Sequence, residues 1–366
     1  SIGVDYILDS ALGTDLSLLA SAQEFVDRYN NGNCNEGATP SPLLASWCPG
    51  WVCYAEKTHP EVIPHLSRVK SPQQMMGSVV KDYLARSLGK SPDTIYHTTV
   101  MPCYDKKLEA SRDDFFSDIY RTRDVDCVIT TGEMERLLKS YGRSIADFEK
   151  EEEGSISLDR TFKATPNAYS LSRGAGTSAG GYLEYILSFA ARALFNISIT
   201  PDQVAVPGGS PLVKHVNVRN RVDCREVTLC NPNTGEPLLR FAAFYGFRHL
   251  QNLVRKFKTG RCDYHYVEIA ACPGACSNGG GQLRSENANP KALKDWAAHV
   301  EHLYRSVGPT QLPEENHTMN AILSDWLPQG LQSEHAKRLL LTNFRAVADS
   351  SQGGGGSNSS AVMVNW

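Results

Sequence analysis

The spacing of hydrophobic residues predicts helices that alternate with short strands. Residues 15–29, "DLSLLASAQEFVDRY", carry apolar side chains at helical spacing, whereas "VDYILDS" at residues 4–10 predicts a strand. Three further apolar runs, "HTTVMPC", "DCVIT" and "YHYVEIAAC", are short enough to be strands. Because strands that alternate with helices usually form parallel sheets, this pattern predicts an α/β fold with helices flanking mainly parallel sheets.

Two apolar runs pass directly into helical patterns. "DCVITTGEMERLLKSYG" predicts a strand and then a helix capped by Thr130 or Thr131. "PLLRFAAFYGFRHLQNLVRKFKTG" repeats this plan, with Gly260 as the predicted C-terminal cap. In such folds ligands bind beyond the carboxyl ends of the strands, and the pattern places both Cys103 and Cys272 at strand ends.

The length of the chain allows two lobes. With 366 residues there is material for one large domain or for two lobes with separate cores. An acidic, polar stretch at residues 147–160 marks a predicted boundary, so we predict a first lobe over residues 1–160 and a second over 161–346. Residues 347–366 contain the run "QGGGGSNSS" and predict a flexible tail.

Composition narrows the classes of function. A formal net charge of −3 provides no general basic surface for nucleic acid or anionic lipid. No run approaches the roughly 20 apolar residues of a membrane-spanning helix, and the first residues lack the pattern of a secretory signal. Ten cysteines in a long chain without an export signal favour metal binding or catalysis over disulfides. We therefore expect a cytoplasmic protein that binds neither nucleic acid nor membranes.

Three short motifs contain the candidate chemistry. In "SWCPGW", Cys48 precedes Pro49, a residue favoured at the first helical position, so Cys48 is predicted to begin a helix. "MPCYDKKLE" places Lys106 three residues after Cys103. The third motif, "CPGACSNGGGQ", contains Cys272, Cys276, Gly279, Gly280 and Gly281.

Four thiols suit either zinc or an iron–sulfur cluster. A structural zinc site usually has two closely spaced cysteine pairs, and here only Cys272 and Cys276 form one. A 4Fe–4S cluster accepts scattered cysteines because each iron needs one thiolate. Glycines 279–281, which lack a Cβ, would let the main chain approach the cluster, and Lys106 would offset part of its negative charge.

Each of these residues also has a purely structural interpretation. A lone cysteine is more often a small apolar core residue than a ligand, and an isolated lysine is more often a surface charge. We apply the structural interpretation to the remaining cysteines, with Cys53 predicted to pack in the core: Cys34, Cys53, Cys127, Cys224, Cys230 and Cys262.

At the three motifs the sequence resembles the catalytic domain of iron-only hydrogenases. That family carries motifs of the form T-S-C-C-P-x-W, M-P-C-x-x-K-x-x-E and E-x-M-A-C-x-G-G-C-x-x-G-G-G-Q, matched here by "SWCPGW", "MPCYDKKLE" and "EIAACPGACSNGGGQ". The likeness covers most of residues 1–345. It implies two α/β lobes with a 4Fe–4S cluster between them, bound by Cys48, Cys103, Cys272 and Cys276, the last of which also bridges to a di-iron subsite in the family.

The departures from the family's motifs affect the predicted activity. In the family a proton-relay cysteine precedes the first cluster ligand, and here that position is Trp47. The family's relay also uses an acidic pair in the first helix, where this chain has Ala20, Ser21 and Ala22, with an acid only at Glu24. These losses resemble the eukaryotic non-hydrogenase members, which include cytosolic iron–sulfur assembly factors and a nuclear prelamin A-binding relative.

The resemblance therefore implies a non-enzymatic role. We expect a cytosolic iron–sulfur cluster assembly factor that links early scaffold proteins to a late targeting complex. A divergent iron-only hydrogenase and a nuclear prelamin-binding protein are the alternatives. The assembly-factor resemblance also implies a second cluster on an N-terminal region with further cysteines, a pattern that these 366 residues do not contain.

The last residues, "AVMVNW", suggest a docking peptide on a flexible tether. Trp366 would supply an indole anchor next to a free carboxylate. A disordered end and an engineered linker are the structural alternatives, because "GGGGS" is also a common linker sequence. Assembly-factor relatives often end in Trp, so the resemblance implies recognition of Trp366 by the targeting complex.

Overall fold

A computed structural model describes residues 3–32, 42–144, 176–217, 223–285, 289–306 and 311–347. The α-helices are α1 Ala11–Gly32, α2 Pro49–Thr58, α3 Pro72–Ser78, α4 Ala85–Ser87, α5 Asp105–Ala110, α6 Thr131–Ser140, α7 Tyr182–Phe195, α8 Pro201–Ala205, α9 Phe247–Lys258, α10 Pro290–Ser306, α11 His317–Trp326 and α12 Glu334–Leu340. The strands are β1 Leu43–Leu44, β2 Thr98–Met101, β3 Phe116–Ser117, β4 Thr122–Arg123, β5 Cys127–Thr130, β6 Val213–Asn217, β7 Cys224–Cys230, β8 Pro237–Tyr245 and β9 Tyr266–Ala270. None of the helices in these ranges is long and apolar enough to cross a bilayer.

The largest sheet has five strands in the order β1-β9-β8-β7-β6. β1, β9 and β8 run parallel to one another, whereas β7 and β6 continue the sheet in antiparallel fashion. A second, two-stranded sheet pairs β2 with β5 in parallel. The predicted α/β fold with parallel sheets is confirmed, with an antiparallel edge that the sequence pattern did not predict.

Helices cover both faces of the large sheet. On one face α1 and α7 bury residues such as Phe25 and Ile186 against Phe241. On the other face α2 and α9 bury Trp51 and Leu250. Burial of apolar side chains on both faces is typical of a parallel sheet, and β9 lies between these two layers of helices.

Parallel pairing sets where the candidate ligands meet. β1 and β9 are neighbours, with Leu43 opposite Tyr266, so their carboxyl ends lie at one edge of the sheet. Cys48 follows β1 and Cys272 follows β9 at that edge. A strand from the first half of the chain thus lies in the sheet of the second half, and the predicted division at residue 160 stays a prediction because residues 145–175 lie outside the described ranges.

Local predictions succeed where capping chemistry is strong. Thr130 caps α6, with its hydroxyl accepting from the Glu133 N–H and the Glu133 carboxylate accepting from the Thr130 N–H. Gly260 follows α9 with a positive φ of 64°. The predicted strand at residues 4–10 is wrong: none of the described residues there is in a strand, and Asp9 instead accepts the Ala11 N–H at the start of α1.

Candidate metal centre

Cys48 occupies the N-cap position of α2. Its backbone is extended, and Pro49 takes the first helical position as predicted. The thiol does not cap its own helix; it accepts a hydrogen bond from the Ala271 N–H over 3.4 Å. This bond joins the start of α2 to the segment after β9.

Cys103 lies between β2 and α5. The backbone N–H of Lys106, in the first turn of α5, donates to its thiol. Burial raises the pKa of Cys103 to about 11, against the opposing effect of the nearby Lys106 side chain. This thiol is therefore protonated at neutral pH unless a metal displaces the proton.

Cys272 and Cys276 lie on the loop after β9. Gly274 and Ala275 both have positive φ values, 74° and 63°, which turn the chain sharply between the two thiols. Burial raises the pKa of Cys272, and the Gly280 N–H donates to its thiol and acts in the opposite direction. The glycine-rich half of the loop thus folds back over the first cysteine of the pair.

The four predicted ligands lie near enough to one another to interact electrostatically. Burial raises the pKa of the Cys276 thiol well above its usual value. Three nearby thiols raise it further, namely Cys48, Cys103 and Cys272. Each of the other three thiols also interacts electrostatically with at least one member of the set.

Four thiols are a donor set that suits an iron–sulfur cluster. Within the described residues no three His, Cys, Asp or Glu side chains converge closely enough to hold one metal ion. A 4Fe–4S cluster binds each thiolate through a different iron, so its ligands stand further apart than those of zinc. Backbone N–H groups reach three of the thiols, and such hydrogen bonds stabilise the thiolate form that a cluster requires.

Lys106 is a buried cation beside these thiols. It lowers the pKa of Cys48, Cys103 and Cys276 against the larger effect of burial. Its ammonium group donates to the Trp47 carbonyl over 3.0 Å and to Glu109 over 2.8 Å. The sequence predicted the charge but not these two partners, which fix the ammonium group in place.

Two of the three motif glycines pack closely against residues at the ends of β2 and β5. A Cβ on Gly279 would collide with the Pro102 carbonyl oxygen, and one on Gly281 would lie 2.5 Å from Thr130 Cγ2. Gly281 also donates its N–H to Pro102 over 2.9 Å. Gly280 has open space around it except for Tyr104. The glycines therefore join the Cys272 loop to the ends of β2 and β5, in addition to the predicted approach to a cluster.

The family model for the "Iron only hydrogenase large subunit, C-terminal domain" matches residues 1–280. The chain belongs to this family. Among curated relatives, "Cytosolic iron-sulfur assembly component 3" of Mus musculus is 46% identical over 96% of this chain and 68% of its own length. "Cytosolic Fe-S cluster assembly factor narfl" of Xenopus tropicalis is 43% identical over 94% of this chain and 67% of its own length.

Solved hydrogenases share the fold of this family member. The FeFe-hydrogenase HydA1 of Chlamydomonas reinhardtii, solved as a point variant, superposes with a TM-score of 0.76. The superposition covers 94% of this chain and 85% of the hydrogenase at 27% sequence identity. The predicted hydrogenase-like fold is confirmed.

Trp47 directly precedes Cys48, at the position where the resemblance implies a proton-relay cysteine in the hydrogenases of this family. The indole is 6% exposed and stacks on Tyr182, with ring centroids 5.8 Å apart and an interplanar angle of 12°. Its Nε1 finds no acceptor among the described residues. The Tyr182 hydroxyl is in turn 2.7 Å from Ser17 Oγ on α1. A stacked aromatic pair therefore fills the space between α1, α7 and the first thiol.

The Glu24 carboxylate of this chain is bound by neighbouring side chains. Its carboxylate accepts from the Ser67 hydroxyl over 2.5 Å and forms an ion pair with Arg28 at 2.9 Å. Ala20, Ser21 and Ala22 are buried one turn earlier on α1. The Glu24 carboxylate is therefore held by Arg28 and Ser67.

The sequence reasoning missed a buried carboxylate network beneath the Cys272 loop. Glu268 on β9 is fully buried; it accepts from the Tyr245 hydroxyl and from the Leu183 N–H, each over 2.6 Å. Burial, with the nearby Glu184, raises the pKa of Glu268 to about 7. Arg225 pairs with Glu184 at 2.9 Å. An acid inside the apolar run "YVEIAA" was the available signal for this network.

Proposed function

We propose that this chain is a cytosolic iron–sulfur cluster assembly factor that carries a 4Fe–4S cluster and does not turn over hydrogen. The observation that carries the proposal is its 46% identity, over 96% of the chain, to a relative named as a cytosolic iron–sulfur assembly component. The same relatives' names support a cytosolic location.

The geometry supports both parts of this proposal. Cys48, Cys103, Cys272 and Cys276 form the ligand set, and the bound cluster would supply iron–sulfur redox chemistry. Backbone N–H groups and Lys106 favour the thiolate forms of these side chains. Trp47 supports the absence of hydrogenase activity, because its indole has only an N–H donor and cannot accept and release protons at neutral pH.

Activities of client enzymes test the proposal in the source organism. Cells lacking this protein should lose activity of cytosolic iron–sulfur enzymes, because assembly or delivery of their clusters is interrupted. Mitochondrial iron–sulfur enzymes and a cytosolic enzyme without a cluster are the matched controls and should keep their activity. If the cytosolic iron–sulfur enzymes keep full activity, the proposed function is wrong.

Linkage of early scaffold proteins to a late targeting complex is the finer part of the proposal. Trp366 would provide the contact with the targeting complex, and it lies outside the described residues. The second cluster that the resemblance implies would belong to a part of the relatives that this chain does not match, since the chain covers 68% of the mouse relative. Prelamin binding and nuclear localisation stay predictions from the sequence.

Removal of Trp366 should weaken binding to the targeting complex by at least about tenfold, since buried indole anchors dominate interfaces at about 2 kcal/mol or more each. Addition of one residue after Trp366 should have a similar effect, because it moves the terminal carboxylate away from the indole. Pull-down with the purified complex measures both changes. Replacement of Val364 by Ala, which leaves the indole and carboxylate, is the control. Unchanged capture of the deletion variant would rule out this role of Trp366.

A further inference from the structure

A basic helical face begins beside the Cys272 loop. α9 buries Leu250, Leu253 and Val254 on its inner side. Its outer side exposes Arg248, Arg255 and, just beyond its end, Arg261. With a rise of about 1.5 Å per residue, the 12 residues of α9 span about 18 Å, and Arg261 lies beside its last turn, where its N–H donates to the Lys256 carbonyl. It is a local concentration of positive charge on a chain whose formal net charge is −3.

Three acids near α9 already pair with basic residues, and Asp223, beside the Cys272 loop, accepts the Gly274 N–H. Glu61 pairs with Lys258 at 3.1 Å, Glu226 lies 3.6 Å from Lys256, and Asp263 pairs with Arg240. Arg248, Arg255 and Arg261 form no ion pair with any carboxylate in the described ranges; Arg255 donates only to the Asn252 amide oxygen. Three guanidinium groups therefore remain for an external carboxylate-rich surface. Planar guanidinium groups also match carboxylates in a two-bond geometry.

The basic stripe is continuous with the candidate metal centre. Gly246, directly before α9, donates its N–H to Ala270 over 2.8 Å. A Cβ on Gly246 would lie 3.1 Å from the Pro273 ring, so the start of α9 packs against the residue that follows Cys272. Pro273 is itself exposed and Cys272 is half-buried.

An exposed aromatic residue lies at the junction between the stripe and the loop. Phe247 is 47% exposed, and its ring makes an edge contact with Tyr54 of α2 at 5.4 Å. Protein–protein interfaces are enriched in aromatic residues and arginine, and an exposed Phe beside three exposed arginines matches that composition. One partner footprint of about 800 Å² is large enough to cover both the stripe and the Cys272 loop.

We propose that Arg248, Arg255, Arg261 and Phe247 form a docking surface for an acidic segment of a partner protein, which covers the Cys272 edge of the metal centre when bound. The carboxylates of the partner pair with the three guanidinium groups, and an apolar side chain of the partner packs on Phe247. The docking surface rests on the geometry of α9; its effect on a cluster rests on the proposed function.

A labelled peptide of repeated Glu-Glu-Phe units is a suitable probe. Anisotropy should show binding that weakens between low and high salt, because the contacts are screened charge pairs. The triple variant Arg248→Glu, Arg255→Glu, Arg261→Glu should lose at least tenfold in affinity. A matched triple variant on other exposed surfaces, Lys90→Glu, Arg136→Glu, Arg338→Glu, makes the same change in net charge and should lose less than twofold.

Removal of iron by a chelator gives the second measurement. On anaerobically purified protein the peptide should slow iron loss from the original chain and from the matched control, but not from the α9 variant. Equal peptide binding by both triple variants, or no effect of bound peptide on iron loss, would overturn the proposal. Tighter binding of an oligonucleotide than of the peptide, through the same arginines, would overturn it in favour of nucleic acid. Protein that binds no iron at all contradicts the proposed function, and anisotropy then still decides whether α9 is a docking surface.

Discussion

Replacement of Cys276 by Ser should remove most of the iron and acid-labile sulfide from anaerobically purified protein. Cys276 interacts with all three of the other predicted ligands, so its loss affects every part of the set. Even changes to groups that only contact a metal ligand cost about 10–100-fold in affinity, and loss of the ligand itself should cost more. Iron and sulfide analysis, with absorption and EPR spectra of the reduced protein, measures the effect.

The same variant should also unfold at a lower temperature than the original protein when both are purified anaerobically. A cofactor that binds only the folded chain stabilises it by mass action, and this contribution disappears with the cluster. Cys262→Ser is the matched control, because Cys262 is half-buried in the packing around α2 and α9 and does not interact with the four thiols. Full iron content in the Cys276 variant would show that the ligand assignment is wrong.

The sequence predicts the parts of the fold that depend on neighbouring residues. The strand-to-helix passage at Thr130 has a capping box within four residues, and α9 has a regular apolar stripe with a glycine after it. The strand predicted at residues 4–10 fails because apolar alternation does not ensure a partner strand. Val4 is 53% exposed there and Ile7 is 47% exposed. The parallel pairing of β1 with β9 joins residues more than 200 positions apart, and no local pattern specifies it.

The candidate site divides in a similar way. The proposed ligand set comes from three motifs whose order and spacing are specific, so the sequence alone could nominate the four cysteines. Lys106 could be named as a charge, but its bond to the Trp47 carbonyl depends on how α5 packs against the segment before α2. The Glu268 network requires β8, β9 and α7 to be assembled before its partners are known. Contacts between segments that are distant in the sequence therefore could not be predicted from the sequence alone.

The protein purified anaerobically with its native metal content should evolve no hydrogen above background from a reduced viologen. Positioned general acid–base groups typically contribute about 10²–10⁴-fold to rate, and the Trp47 indole does not titrate near neutral pH. The Tyr182 hydroxyl behind it does not replace such a group, because burial, the largest effect on it, raises its pKa. Gas chromatography of the headspace measures hydrogen directly.

Two variants of Trp47 distinguish two causes of inactivity: the indole that fills the space beside Cys48, and the lack of a titratable group at position 47. Trp47→Phe keeps a ring on Tyr182 and should leave both iron content and inactivity unchanged. Trp47→Cys restores the thiol of the family's relay position but removes the stacked indole. Replacement of a buried Trp by Ala typically lowers the free energy of unfolding by about 3–5 kcal/mol, and we expect a loss of similar size here. It should remain inactive, because Glu24 is still held by Arg28 and Ser67 and the rest of the α1 segment is Ala20, Ser21 and Ala22.

Hydrogen evolution at an enzymatic rate by the original chain would overturn the non-hydrogenase assignment. The same rate from Trp47→Cys alone would show that the indole is the only barrier and that the acids of the first helix are dispensable.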